Sequence, residues 1–268
     1  MIGVFDSGVG GLTVLAALRR RLPKADLLYL GDTARVPYGT RSPETVRRYA
    51  ARCASALHQQ GIQALVVACN TATAHALDSL KQAAAAANIP VIGVVEPGVE
   101  AAAEVTKGSV AIIGTEGTIR AGIYQKALTS LGYSVQAQAC PLFVSLAEEG
   151  WTQDPVAQLV ATRYLAHLDA DTVILGCTHY PLLRPVIQRV LPTARLVDSA
   201  EATARATARI LGEVGGEGRT RFLVTDNLDR FRTVGQRFLG VAPDPVDLVD
   251  LPDPAGPFAL NLAVEEPA

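Results

Sequence analysis

Several residue types are scarce in this 268-residue chain, and each scarcity excludes something. Cysteine occurs four times and never as C-x-x-C, so neither a disulfide framework nor a dithiol redox motif is spelled out. His179 stands two residues from Cys177, but Cys69 has no following histidine, and no four-ligand metal spacing exists. No apolar run reaches the roughly 18 residues of a membrane helix, and no basic-then-apolar leader opens the chain. The expectation is a soluble, cytoplasmic protein. Lys and Arg number 24 against 26 Asp and Glu, a net charge of −2, which leaves no electrostatic footprint for nucleic acid. A dinucleotide fingerprint starting at Gly8 would need its third glycine at position 13, which is Thr13, and the Walker lysine is missing.

What is present is apolar and rich in alanine: 49% hydrophobic residues and a mean hydropathy of +0.23 indicate a globular, helix-containing chain. Its length suits one large domain or two of ordinary size. The most informative stretch is Ala64 to Ala74. Leu65, Val66 and Val67 form a short apolar run expected of a strand buried on both faces, and Cys69, Asn70 and Thr71 follow where a strand hands over to a helix. That is where open α/β sheets place their ligands. The arrangement recurs 108 positions later: Thr172 to Leu175, then Gly176, Cys177, Thr178 and His179.

From the start of the chain, Ile2 to Phe5 reads as a strand and Asp6 to Gly11 as a glycine-rich turn into a helix, Leu12 to Leu22. Such a turn offers backbone N–H groups to a small anion such as a carboxylate, or is simply a tight βα turn. Asp6 either caps the helix or serves a site. Leu27 to Leu30 is a second strand, followed by Gly31-Asp32-Thr33 and Val36-Pro37-Tyr38-Gly39. Ser42-Pro43-Glu44 starts a helix reaching about Gln60. Cys53 reads as a packing residue in it and His58 as a solvated residue. Helix 73–87 holds His75, read as a surface or cap residue. Strand Val91 to Val95 leads to Glu96-Pro97-Gly98, read as a crossover.

The plan then restarts. Val110 to Ile113 is a strand with a turn at Gly114 to Thr118. Asp6 aligns with Thr115 and Gly8 with Gly117, both 109 positions on. Helix 119–131, strand Ser134 to Ala137 and a loop from Cys140 through Phe143-Val144 follow. Cys140 reads as structural, and Glu148 and Glu149 by default as helix-end carboxylates. Next come helix 155–168, the Cys177 strand, helix Pro181 to Leu191, strand Arg195 to Val197, helix 201–213, a glycine linker at Gly215 to Gly218, strand Phe222 to Thr225, helical spacing over 226–239 and strand Val246 to Leu251. A Pro-rich, acidic tail is expected to be loosely held. The fold class is therefore α/β: two pseudo-symmetric open parallel-sheet domains facing across a cleft. The first comprises 1–96 plus 206–268, which returns to complete its sheet, and the second 97–205.

Two thiols facing each other across a cleft suit a two-base proton transfer, in which one group removes a proton from carbon and the other returns one to the opposite face. Both cysteines could instead be small residues at crowded strand ends. Further alternatives are a two-lobed amino-acid-binding module without chemistry, and a hydrolase or decarboxylase with one working thiol.

Blocks spread along most of the chain resemble the glutamate racemase family: Asp6-Ser7-Gly8-Val9-Gly10-Gly11-Leu12, Gly31-Asp32-Thr33, Pro37-Tyr38-Gly39, Ala68-Cys69-Asn70-Thr71-Ala72, Gly93-Val94-Val95-Glu96-Pro97-Gly98, Gly114-Thr115, Gly176-Cys177-Thr178-His179-Tyr180-Pro181 and Val197-Asp198-Ser199. The resemblance implies interconversion of L- and D-glutamate without cofactor or metal, the D-isomer feeding peptidoglycan synthesis, and a homodimer. Related families act on aspartate or hydantoins. It implies that Cys177 takes the proton from L-glutamate and Cys69 from D-glutamate. Asp6 would stand beside Cys69 and His179 beside Cys177, with Glu148, or its neighbour Glu149, assisting the second side. Ser7, Tyr38, Gly39, Asn70, Thr71, Thr115, Thr118 and Thr178 would hold the substrate.

Since no metal spacing or strand-end lysine is visible, dialysis against a strong chelator and treatment with hydroxylamine should leave racemisation unchanged. Thiol alkylation should inactivate, with saturating glutamate protecting. Loss of activity restored only by a divalent metal or by pyridoxal phosphate would contradict this.

Overall fold

The computed structural model describes residues 1–259. Ten strands and eleven α-helices alternate through the described residues: β1 Ile2–Asp6, α1 Leu12–Arg21, β2 Leu27–Gly31, α2 Pro43–Gln59, β3 Ala64–Val67, α3 Asn70–Ala85, β4 Val91–Gly93, α4 Val95–Ala103, β5 Ser109–Gly114, α5 Glu116–Ala121, α6 Ile123–Ser130, β6 Ser134–Ala139, α7 Leu142–Glu149, α8 Pro155–Leu165, β7 Thr172–Gly176, α9 Arg184–Val190, β8 Arg195–Asp198, α10 Ser199–Leu211, β9 Thr220–Val224, α11 Leu228–Leu239 and β10 Val246–Leu248.

They form two sheets, ordered β10-β9-β2-β1-β3-β4 and β6-β5-β7-β8. Every pairing is parallel. Apart from β9 and β10 the two orders are the same: β2-β1-β3-β4 matches β6-β5-β7-β8 strand for strand. The internal repeat thus becomes geometry. Asp6 ends β1 next to the β3 that leads to Cys69, and Thr115 follows β5 next to the β7 that leads to Cys177. The central strands β1 and β7 are buried throughout and mostly apolar, because helices cover both faces. In the first sheet α1, α10 and α11 pack on one side through Leu15, Ala204 and Phe231, and α2 and α3 on the other through Ala50, Leu57 and Leu80. The second sheet lies between α7, α8 and α9 on one face and α4 and α6 on the other. Helix α10 is continuous and packs against both α1 and α4.

Several elements differ from the sequence reading. Glu96-Pro97-Gly98 is not a crossover loop but the first turn of α4, where proline's missing N–H costs nothing. Val95, Val99 and Ala102, spaced for one helix face, bury themselves against β5 and β7. The loop expected after Cys140 is mostly α7, with Phe143, Leu146 and Ala147 on its buried face. The helix expected over 119–131 is two helices, because Gly122 adopts φ +69° and turns the chain between α5 and α6. Residues Tyr180–Leu183 form a 3₁₀ turn ahead of α9. Strands β4 and β10 stop short of the expected Val95 and Leu251.

Two further expectations are corrected. His58 is not solvated: its ring is half-buried, edge-on to Phe258 at 5.8 Å. The described part of the tail is tied down, with Phe258 fully buried against α2 and α3 and Ser55 Oγ accepting from Ala255 N at 3.0 Å. Arg52 pairs with Asp253 beside it. The remaining tail, 260–268, lies outside the described residues. Phe258→Ala should lower unfolding stability by about 3 kcal/mol in urea titrations, since a filled core position is emptied. An unchanged denaturation midpoint would show that the docked tail contributes nothing.

Candidate active site

The carboxyl ends of the two sheets meet at a seam, and the candidate residues converge there. Cys69 is the N-cap of α3. Its Sγ accepts from Ala72 N at 3.4 Å and donates to Ser7 Oγ at 3.7 Å. A helix N-terminus favours a thiolate, but burial works against it. Burial wins: with only 6% of its surface exposed and the Asp6 carboxylate adding repulsion, the Cys69 thiol is pushed up to about 12. Asp6 itself is fully buried, and desolvation raises its carboxyl above the ordinary range. It accepts from Gly8 N at 2.9 Å, and the N–H groups of Ser7 and Gly11 also face it. The glycine-rich turn that the sequence offered to an external anion is therefore engaged by the chain's own carboxylate.

The other side is built differently. Cys177 Sγ lies 3.8 Å from His179 Nδ1, and His179 Nε2 lies 3.0 Å from Glu148 Oε1. Burial alone would lower the imidazole. The hydrogen bonds and charges of Cys177 and Glu148 outweigh it, raising His179 to about 10. Glu148 moves down: burial opposes its charge, but His179 and Arg230 more than compensate. This arrangement also separates the two neighbouring glutamates. Glu148 reaches His179, whereas Glu149 is largely exposed and only approaches Arg230, at 4.0 Å.

Across the seam the halves interlock through hydroxyl groups. Thr71 Oγ1 is 2.9 Å from Thr115 Oγ1 and 3.2 Å from Thr118 Oγ1, and the latter two are 3.0 Å apart. Gly39 packs directly on Thr115, and a side chain at Gly117 would strike Gly39 O. Thr178 and His179 crowd Gly10 so closely that no Cβ fits there. Asn70 Oδ1 accepts from Tyr124 OH at 2.8 Å, while its buried Nδ2 has no hydrogen-bond partner among the described residues. His75 is not a plain surface residue; its Nε2 lies 3.2 Å from Gly117 O across the seam.

The Tyr38 hydroxyl is engaged within its own half of the molecule. Its hydroxyl donates to the buried Asp32 Oδ2 at 2.6 Å and lies 3.8 Å from Cys53 Sγ, on the core side of its loop. Cys53 and Cys140 are both buried as packing residues, in the same apolar clusters as Cys69 and Cys177 respectively, and burial pushes both thiols up. Sequence reasoning missed Asp32 and Tyr124, which anchor Tyr38 and Asn70, and Arg230 and Phe238 of α11. A cavity of about 140 Å³ beside the site, lined by Gly8, Val36, Glu148, Arg230 and others, lies next to the Glu148 side of the seam. Among the described residues, no group of three or more His, Cys, Asp or Glu side chains is arranged to hold a metal ion.

Fold and site together define a two-sheet α/β enzyme with a pair of buried thiols at equivalent strand ends, each with an ionisable neighbour, Asp6 for Cys69 and His179 for Cys177. The comparisons narrow this. The family described as Asp/Glu/Hydantoin racemase matches residues 12–207. A glutamate racemase of Geobacter metallireducens is 53% identical over 252 residues, covering 89% of this chain and 92% of that protein. The solved glutamate racemase from Thermus thermophilus, in complex with β-chloro-D-alanine, superposes with a TM-score of 0.85 at 49% identity, covering 93% of this chain and 96% of that one. The Francisella tularensis glutamate racemase in complex with D-glutamate gives 0.87 at 36% identity, covering 93% and 97%. The chain belongs to the Asp/Glu/hydantoin racemase family.

The raised His179 carries a pH signature. Its folded value lies above the ordinary value of 6.5, so its contribution to stability is complete below that pH and is lost as pH rises toward about 10. Stability should therefore decline from about pH 6.5 upward, with ionisation of the unfolded thiols adding to the decline above about pH 7.5. His179→Asn should flatten that decline in thermal melts. A variant with the parent's slope would show that the imidazolium is not specially held in the fold.

Proposed function

We propose that the chain racemises glutamate by two-base proton transfer without a cofactor, and that Cys69 and Cys177 are the two bases. The observation that carries this reading is the pair of buried thiols at matching strand ends, set in opposite electrostatic surroundings. The curated relatives named as glutamate racemases favour glutamate over aspartate. On the Cys177 side the thiol stands beside an imidazolium held by the Glu148 carboxylate. On the Cys69 side burial and Asp6 favour the neutral thiol. Starting from L-glutamate, Cys177 takes the α-proton, and the electron pair left on carbon spreads into the α-carboxylate. Cys69 then delivers its proton to the opposite face, and the reverse direction exchanges the roles.

Asp6 and His179, with Glu148 behind it, restore the protonation of their thiols. Ser7, Asn70, Thr71, Thr115, Thr118 and Thr178, with the Gly39 backbone, hold the carboxylates and amine, and donors at the α-carboxylate stabilise the charge that develops there. Tyr38 acts from behind, fixing the loop that carries Gly39. We divide the chain into 1–96 plus 206–268 and 97–205, a boundary crossed by the continuous helix α10. The working unit is a cytoplasmic homodimer supplying D-glutamate for peptidoglycan.

Chiral analysis of purified, cofactor-free protein with L-glutamate and L-aspartate tests the substrate; inversion of aspartate alone would overturn it. The thiol assignment needs isotope exchange. The equilibrium constant between enantiomers is unity, so kcat/KM for racemisation must fall equally in both directions in any variant. Wash-in of solvent deuterium is free of that constraint. Cys69→Ser should keep wash-in from L-glutamate and lose it from D-glutamate, and Cys177→Ser should do the reverse, because a serine hydroxyl ionises far less readily than a thiol. Equal loss of both enantiomers in both variants would refute one thiol per face.

A further inference from the structure

Both oxygens of the Glu148 carboxylate are engaged. Oε1 lies 3.0 Å from His179 Nε2, and Oε2 accepts from Arg230 Nη2 at 3.1 Å. Glu148 and His179 belong to the half built on the second sheet, whereas Arg230 comes from α11, which packs on the first through Phe231 and Val234. The arginine therefore reaches across the seam to the outer oxygen of the group that holds His179. Farther along α11, Phe238 meets the His179 ring edge-on, with centroids 5.4 Å apart and planes at 89°. One helix thus touches the imidazole–carboxylate pair at two points.

A half-exposed arginine on a helix surface is ordinarily worth little. Arg230 is 56% exposed, but Glu148 is only 18% exposed and already committed to a buried imidazole. A carboxylate bonded on one oxygen alone can swing about its terminal torsion; a charge-assisted bond to the other restricts that swing. The neighbouring Glu149 cannot substitute, since it makes no contact with His179.

We propose that Arg230 is a positioning residue for the Cys177 side: it holds Glu148 in the orientation that keeps His179 against Cys177. The kinetic consequence rests on the racemase reading, while the structural consequence does not, so the experiment measures both. In substrate-free ¹⁵N-labelled protein, the downfield imidazole N–H resonance that disappears in His179→Asn should shift or broaden in Arg230→Gln and persist in Arg230→Lys. In glutamate racemisation, Arg230→Gln should lower kcat by about three- to tenfold, as expected for a partly screened charge-assisted bond, with KM little changed. Arg230→Lys should recover most of that loss. In a Glu148→Gln background Arg230→Gln should have no additional effect. An unchanged resonance in Arg230→Gln overturns the proposal whatever the kinetics. The same loss of kcat with and without Glu148 overturns it too, because Arg230 would then act by another route. If the unmodified protein fails to racemise glutamate, the functional reading falls while the resonance still decides the role of Arg230.

Discussion

Removing two thiols and their partners from water is the constraint on which the rest of the site depends. Desolvation pushes Cys69 up to about 12, raises Asp6 and by itself would lower His179. Only the opposite charges packed around His179 reverse the sign there. One seam therefore sets the two thiols in unlike surroundings, Cys69 near a buried carboxylate and Cys177 beside an imidazolium. A reaction that removes a proton on one face and returns one on the other needs that inequality in every turnover. It also needs a dry site, where hydroxyl and amide donors act on developing charge without competing water.

The two sheets create the seam, and an addition to one of them breaks its symmetry. Their common strand order, β2-β1-β3-β4 and β6-β5-β7-β8, sets Asp6 beside the Cys69 strand and Thr115 beside the Cys177 strand. What has no counterpart in the repeat is β9, α11 and β10. That segment extends the first sheet, yet its helix carries Arg230 and Phe238 to the histidine of the second half. The difference between the thiol environments thus has two origins: the exchange of Asp6 for Thr115 within the repeat, and a helix that only one half possesses.

Much of the fold was legible because its signals are local. Short apolar runs ending in small residues marked buried parallel strands, and capped starts such as Ser42-Pro43 and Asp154-Pro155 marked helices. Where local signals conflicted, packing decided. Pro97 and Gly98 read as a break, but the apolar spacing of Val95, Val99 and Ala102 against β5 and β7 carries a helix through them. Pro141 concealed the start of α7 in the same way. The positions of Asp6, Cys69 and Cys177 at strand ends, with His179 just beyond, were legible from the sequence. The bond from the Tyr38 hydroxyl to Asp32 was not legible, because local sequence does not show which way a loop side chain turns.

The sequence by itself determined the pattern that repeats: two strand-end cysteines 108 positions apart, each followed by polar residues, within an alternation of strands and helices. Chain order is enough for that, since burial of a central parallel strand and the chemistry of a strand-to-helix turn both act over a few residues. Which partners act together was settled only by the tertiary structure. His179 meets a carboxylate 31 positions away, and that carboxylate meets an arginine 82 positions farther along the chain. Charges at such separations have no local signature. Their coupling depends on distance and on exclusion of water, and both exist only once the two sheets have closed on one another.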